Sequence, residues 1–252
     1  NDINYLSDIL KPDIGVITNI GLSHLESLKN IQGVLKVKSE IINNIKKNGF
    51  LIVPNDDKDH LQHWKNIRSD IKLMTFGLKK SSDFHPLEPS LETNGLNFLV
   101  KSKYLENIIK INSKLQGNHN ISNILASCAV HYCLSQDINE FAKKIKSLIF
   151  KNSRLNKIKW IKNSILIDDT YNANPDSARK SIDLLSNYDN KTYLILGDML
   201  ELGNHQKKYH KEIGQYAKLK DIDVFLGFGN LAKHAVDGFG NNGIFFDTED
   251  EL

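Results

Sequence analysis

Cysteine, methionine and tryptophan are nearly missing from this chain: two of each in 252 residues, with five prolines. Two cysteines cannot build a disulfide-stapled scaffold or a cysteine-rich metal site. Cys128 and Cys133 lie five apart in one helical segment and do not share a helix face, so no disulfide is expected and a reducing cytoplasm is compatible. Their expected role is that of small buried hydrophobes. Charge of one sign is also lacking. Thirty-three basic residues face thirty acidic ones, a net +3, and the lysines are scattered, which argues against a nucleic-acid partner. No apolar run approaches the roughly 20 residues of a membrane span, and no signal peptide opens the chain. Finally, no G-x-x-x-x-G-K-[ST] phosphate loop occurs.

What is present reads as globular α/β. Apolar residues make up 40% and charged residues 25%, and the length suits one large domain or two ordinary ones. A short helix over 3–11 ends at Pro12, and Ile14-Gly15-Val16-Ile17 is a buried strand. The pattern continues with a helix over 31–47, strand 50–53, helix 57–68 and strand 72–76, a βαβαβ alternation that implies a parallel sheet. Residues 82–115 alternate, contain Pro86, Pro89 and an Asn94-Gly95 turn, and predict antiparallel hairpins. Two helices follow, over 120–134 and 138–149. A boundary is expected near Asn152-Ser153-Arg154, giving domains 1–153 and 154–252. Beyond it come a hairpin, helix 175–187, strand 192–196, helix 205–219, strand 223–226, helix 230–238 and strand 243–246, a second, doubly wound α/β unit. Thr248 and Glu251 read as a capping box opening a last helix.

The densest run of chemistry is Asp168-Asp169-Thr170-Tyr171-Asn172-Ala173-Asn174-Pro175-Asp176-Ser177. It follows the apolar strand Ser164-Ile165-Leu166-Ile167 and ends as a helix start, with Asn174 as N-cap and Pro175 at the first helical position. Polar groups at the carboxyl end of a buried strand, beside a helix N-terminus, are where open α/β sheets hold ligands. A plain polar β–α turn is the other reading. Lys38 poses a second question. Ile31, Val34, Leu35, Ile41, Ile42 and Ile45 form a helical stripe whose missing member is position 38. A lysine there either snorkels from the stripe edge or is paired, neutralised or chemically altered. Asn120, after Gly117, reads as an N-cap, with Asn123 one turn on. Asp198, Glu201 and His210 mark the other strand-end loop of the second unit and its following helix; a solvated loop and surface helix is the alternative.

The sequence DDTYNANPDS resembles the signature of the Mur ligases, in particular the MurF type. Thr18-Asn19-Ile20-Gly21-Leu22-Ser23-His24-Leu25-Glu26, Val37-Lys38-Ser39-Glu40-Ile41, Gly117-Asn118-His119-Asn120-Ile121-Ser122-Asn123 and Leu196-Gly197-Asp198-Met199-Leu200-Glu201-Leu202-Gly203 match the same family in the same order. The resemblance implies a central ATPase domain, here incomplete, and a Rossmann-like C-terminal domain, truncated at its end. It implies a cytoplasmic ligase of peptidoglycan synthesis that uses ATP and Mg²⁺. Such an enzyme activates the carboxylate of UDP-MurNAc-tripeptide as an acyl phosphate, which the amine of D-Ala-D-Ala attacks to give the amide, ADP and phosphate. Lys38 would be carbamylated by carbon dioxide, giving an anion with two oxygens suited to a hard cation. His24 would ligate the same magnesium. Asn120 and Asn123 would serve the adenine side of the ATP site, Arg154 the nucleotide, and Asp169 the ribose, with Tyr171 and Asn172 beside it. Ser153 stands where the family has glycine. Asp198, Glu201 and His210 would lie by the incoming dipeptide.

In this family the phosphate loop and the UDP-sugar domain lie upstream. With Asn at position 1, the chain is therefore expected to be a piece of a longer protein, inactive on its own, and a monomer with no nucleic-acid or membrane partner. Two rivals stand beside this reading: another amide ligase of the same superfamily, and a non-catalytic nucleotide-binding module.

Overall fold

The computed structural model describes residues 2–22, 25–92, 95–115, 117–135, 137–148 and 156–251. The chain forms two compact units, one of Asn1–Ile20 with Leu35–Ile149 and the other of Gly21–Val34 with Phe150–Leu252. The first contains α1 (Asp2–Leu10), β1 (Ile14–Val16), the second half of a helix over Ile31–Ser39, a 3-10 segment Glu40–Asn44, β2 (Phe50–Pro54), a helix Lys58–Lys65 and β3 (Lys72–Phe76). It continues with β4 (Phe84–Glu92), β5 (Gly95–Ser102), β6 (Ile109–Ser113) and helices Asn118–Cys133 and Ile138–Ser147. With α2 (Leu25–Leu28) in the second unit, the helices of Ile31–Ser39, Lys58–Lys65, Asn118–Cys133 and Ile138–Ser147 are α3, α4, α5 and α6.

Six strands make one sheet in chain order, β1 to β6. β1, β2, β3 and β4 run parallel, and β4, β5 and β6 antiparallel. Leu51, Ile52 and Val53 of β2 are completely buried, as a parallel strand covered on both faces must be. Ile52 packs with Met74, Phe76, Phe84 and the inner stripe of α5, Ile121, Ile124 and Leu125. Leu51 and Val53 face Trp64 of α4 with Leu35 and Ile42. Both cysteines are unpaired; burial pushes the Cys128 thiol up to about 12, which makes it a hydrophobe.

The helix predicted over 31–47 stops at Ser39 and tightens to 3-10 geometry over Glu40–Asn44. The Ser39 hydroxyl donates to the Leu35 carbonyl at 2.6 Å and accepts Trp64 Nε1–H at 2.9 Å. A serine bonded back onto the preceding turn competes with the helix's own ladder. The loop carrying Asn94 lies outside the described residues.

The second unit pairs β7 (Asn156–Lys159) with β8 (Ile165–Asp168) as the expected hairpin. It then alternates α7 (Pro175–Leu185), β9 (Tyr193–Leu196), α8 (Gln206–Leu219), β10 (Val224–Phe228), α9 (Ala232–Phe239) and β11 (Gly243–Phe246). β9, β10 and β11 form a parallel sheet with β10 central. Ala178, Ile182, Ile213, Ala217, Ala235 and Phe239 close its core against Phe225. The last helix expected from Thr248 is a 3-10 turn, Glu249–Glu251; the Glu251 carboxylate reaches Asp247 N–H at 3.0 Å, one residue before the predicted cap. No helix among the described residues is long and apolar enough to cross a membrane.

One latch recurs in both units. Asp83, just before β4, accepts Thr75 N–H at 2.8 Å and Thr75 Oγ1–H at 3.0 Å, while its own N–H donates to Thr75 Oγ1 at 2.9 Å. Asp223, before β10, does the same to Thr192, before β9, at 2.7, 3.0 and 3.1 Å. Each latch fixes the register of two neighbouring parallel strands where the ladder begins or ends. Thr75→Val keeps the shape but leaves Asp83 N–H without its acceptor. It is expected to cost about 1–3 kcal/mol in urea unfolding, and Thr75→Ser to restore most of the loss.

Candidate nucleotide and ligation site

Two of the motif segments, Val37–Ile41 and Gly117–Asn123, lie in the first unit, and a third, Thr18–Glu26, is divided between the units after Ile20. Asn120 is not the N-cap: α5 begins at Asn118, and Gly117, with φ 83°, precedes it. Asn120 is instead the third helical residue. Its Oδ1 accepts from Asn123 Nδ2 at 3.2 Å, so the two amides share one face of the first turn. A cavity of about 480 Å³ opens beside this helix start, walled by Leu78, Pro86 and Leu87, with Lys80, Glu88 and Asn118 as polar members. Apolar walls with a few polar groups suit a flat, hydrogen-bonding ligand.

Lys38 is half-buried in the last turn of α3. Its Nζ donates to the Asn19 backbone carbonyl at 3.0 Å and to Asn19 Oδ1 at 3.1 Å. The ammonium at the stripe is therefore paired, by a residue no helical pattern could indicate. Burial still lowers its pKa, which favours the neutral amine. His24 and Arg154 lie outside the described residues. Among the described residues no three His, Cys, Asp or Glu side chains gather as a metal site.

In the second unit the strand–turn–helix expected of DDTYNANPDS is present, but the strand is not the buried one expected: β8 lies in the two-stranded sheet with β7, and Ile165 is 55% exposed. Asn174 caps α7, its Oδ1 accepting Asp176 N–H at 3.0 Å and Ser177 N–H at 2.9 Å, and Ser177 Oγ returns the favour to Asn174 N–H. Pro175 is the first helical residue. Asp168 Oδ1 accepts Thr170 N–H and Oγ1–H at 3.1 and 2.7 Å, which folds the turn back on the strand. Asp169 is half-buried and its Oδ2 accepts Ser181 Oγ–H at 2.5 Å. Ser181 was not singled out in the sequence; a serine beside Ala178 and Ile182 on the inner side of α7 was the available signal. Tyr171 is exposed, at 65%, and Asn172 is exposed too.

The second strand-end loop, after β9, is organised by groups expected to face a substrate. Asp198 Oδ1 accepts the N–H groups of Leu231 and Ala232, both at 2.8 Å, and so caps the start of α9. His210 is wholly buried, so it is not a surface-helix residue facing the loop. Its Nδ1–H donates to the Gln206 carbonyl at 2.7 Å, and its Nε2 accepts Met199 N–H at 2.9 Å. That pattern defines the neutral Nδ1–H tautomer, and His210 acts by holding the loop. Glu201 is exposed and sits at φ 61°, with its carbonyl turned to Glu26 N–H at 3.0 Å.

Residues 1–131 match the family profile described as Mur ligase middle domain, and residues 153–252 that described as Mur ligase, glutamate ligase domain. The UDP-N-acetylmuramoyl-tripeptide--D-alanyl-D-alanine ligase of Haemophilus influenzae is 33% identical over 94% of this chain and 51% of its own length. The protein of the same name from Buchnera aphidicola subsp. Baizongia pistaciae is 34% identical over 100% of this chain and 54% of its own. A crystal structure of MurF from Acinetobacter baumannii superposes with a TM-score of 0.90 at 28% identity, over 99% of this chain and 53% of that one. The chain belongs to the Mur ligase family. It spans about half the length of the curated relatives it matches.

Burial lowers the pKa of His210 below its ordinary value. The neutral ring is thus favoured by folding, and its contribution is complete above the unfolded pKa near 6.5. As pH falls below that value, the unfolded chain gains a proton that the folded unit resists. Thermal unfolding midpoints measured from pH 7.5 to 5 are expected to fall for the second unit, and His210→Gln to flatten that slope. An identical slope in both would assign the effect elsewhere.

Proposed function

We propose that this chain supplies the nucleotide-binding and ligation loops of a cytoplasmic, ATP-dependent ligase of peptidoglycan synthesis, joining D-Ala-D-Ala to UDP-MurNAc-tripeptide. The observation that carries the reading is the DDTYNANPDS turn. Asp169 stands at the carboxyl end of β8, oriented by Ser181, beside a fully capped helix start. Relatives similar over almost the whole of this chain bear the name of that activity.

The residues divide the work by their chemistry. Asn120 and Asn123 present amide donors and acceptors that complement an adenine edge. Asp169 offers a carboxylate to the ribose hydroxyls, with Arg154 as the nucleotide's cation and Tyr171 and Asn172 beside the same turn. Lys38 and Asn19 bring together an amine biased towards neutrality and two hard oxygens. That donor set fits a lysine carbamate and Mg²⁺, with His24 as a further ligand. Magnesium, when bound, offsets the charge on the transferring phosphoryl group. Asp198 and His210 fix the loop after β9, whose Glu201 is left near the site of the incoming amine.

In the complete gene product, ADP release is expected to require both UDP-MurNAc-tripeptide and D-Ala-D-Ala. Release with another amine, but not the dipeptide, would assign a sister activity, and ATP binding without turnover would leave a nucleotide-binding module. In the same assay Lys38→Ala is expected to lower the rate more than about 100-fold, beyond the loss typical of an outer-shell partner. Acetate or formate should restore part of it by replacing the missing oxygens. A folded variant with near wild-type rate would refute the metal role, and a dead one without rescue would remove the carbamate.

A further inference from the structure

Residues 21–34 follow β1 in the chain, yet they belong to the compact unit built from residues 150–252. Two hydrogen bonds tie them there. Leu22 N–H donates to Asp176 Oδ2 at 2.8 Å, across 154 residues of sequence. Glu26 N–H donates to the Glu201 carbonyl at 3.0 Å. The first anchor sits on the DDTYNANPDS turn and the second on the loop after β9. These are the loops that carry Asp169, Tyr171 and Asn172, and Asp198 and Glu201.

Both anchors are shaped for the task. Asp176 is the second residue of α7, where a carboxylate is already favoured by the helix N-terminus. An acid there usually serves its own helix. Here Asn174 has taken the N–H groups of Asp176 and Ser177; Asp176 Oδ1 lies 3.9 Å from Arg179 Nη1 in its own helix, and Oδ2 accepts Leu22 N–H. A Cβ on Gly21 would stand 2.9 Å from Asp176 Oδ2, so a larger residue there would push the carboxylate aside. At the second anchor Gly203 has φ 58°, and a Cβ on it would stand 3.3 Å from Glu26 Cα. Leu25, which opens α2, is 5% exposed. Leu22 and Leu25 flank Ser23 and His24 in the sequence.

We infer that Asp176 is a positioning residue. Its carboxylate, with the Glu201 carbonyl, docks Gly21, Leu22 and the α2 residues Leu25–Leu28 onto the two motif loops of the second unit. The docking stands on its own geometry; its consequence for turnover rests on the ligase reading above. Asparagine at 176 keeps an oxygen acceptor for Leu22 N–H, whereas alanine removes it.

The test compares wild type, Asp176→Ala and Asp176→Asn. In this chain, amide hydrogen exchange of the peptide covering residues 21–28 is expected to quicken at least about tenfold in Asp176→Ala, the loss of a hydrogen bond to a charged group. Asp176→Asn should stay near wild type, and peptides from α8 and α9 should not change in either variant. Exchange in Asp176→Ala equal to wild type overturns the inference. In the complete gene product, Asp176→Ala is expected to lower kcat about tenfold with the urea midpoint of unfolding retained, and Asp176→Asn to recover most of it. Full kcat in Asp176→Ala overturns the positioning role. A wild-type product with no dipeptide-dependent ADP release refutes the ligase reading instead, and the exchange comparison then decides the docking alone.

Discussion

A backbone N–H that leaves its ladder at the end of a strand or the start of a helix must find another acceptor, because an unmet buried donor costs more than most single contacts return. The second unit is arranged around that constraint. Asn174 answers the first N–H groups of α7, and Asp198 those of α9. His210 answers Met199 from inside the core, and Asp223 answers Thr192 beside the sheet. Each acceptor comes from a different element than the strand end it serves, except for the local cap of α7. The loops are consequently fixed by side chains reaching across the unit, and their exposed members, Tyr171, Asn172 and Glu201, stand on a braced backbone.

Local features of the fold were legible in the sequence, and relations between distant segments were not. Asn174 and Pro175 declare a helix start within four residues, and the structure has it there. The strands of the parallel part read directly, because burial on both faces leaves continuous apolar runs such as Leu51-Ile52-Val53. The start of α5 was misplaced by two residues, since glycine with positive φ takes the place of a side-chain cap. The break at Ser39 escaped periodicity because it depends on an indole from another helix. His210 sits among glutamine, lysines and tyrosine and reads as a surface residue; only the tertiary position of Met199 reveals why it is buried.

Lys38 shows how a single pairing changes the meaning of a position. On an apolar stripe, an isolated ammonium would be untenable. With Asn19 supplying two oxygens, the cation is tolerated, while burial lowers its pKa. Asn19 belongs to the Thr18-Asn19-Ile20-Gly21 motif, so the partner of Lys38 was in view as sequence while its role was hidden by a separation of nineteen positions.

The assignment of Gly21–Val34 to the later unit bears on how the protein is made. The ribosome delivers this segment early and its partners, Asp176 and Glu201, late. At about 5–20 residues per second, the 154 residues that separate Leu22 from Asp176 take roughly ten to thirty seconds to emerge. Throughout that interval the nascent segment has no native surface to rest on, while its neighbours on both sides can already join the first sheet. The native second unit is thus not a purely C-terminal module. Its completion closes a very long loop, a step whose entropic cost rises only logarithmically but whose rate suffers from distance.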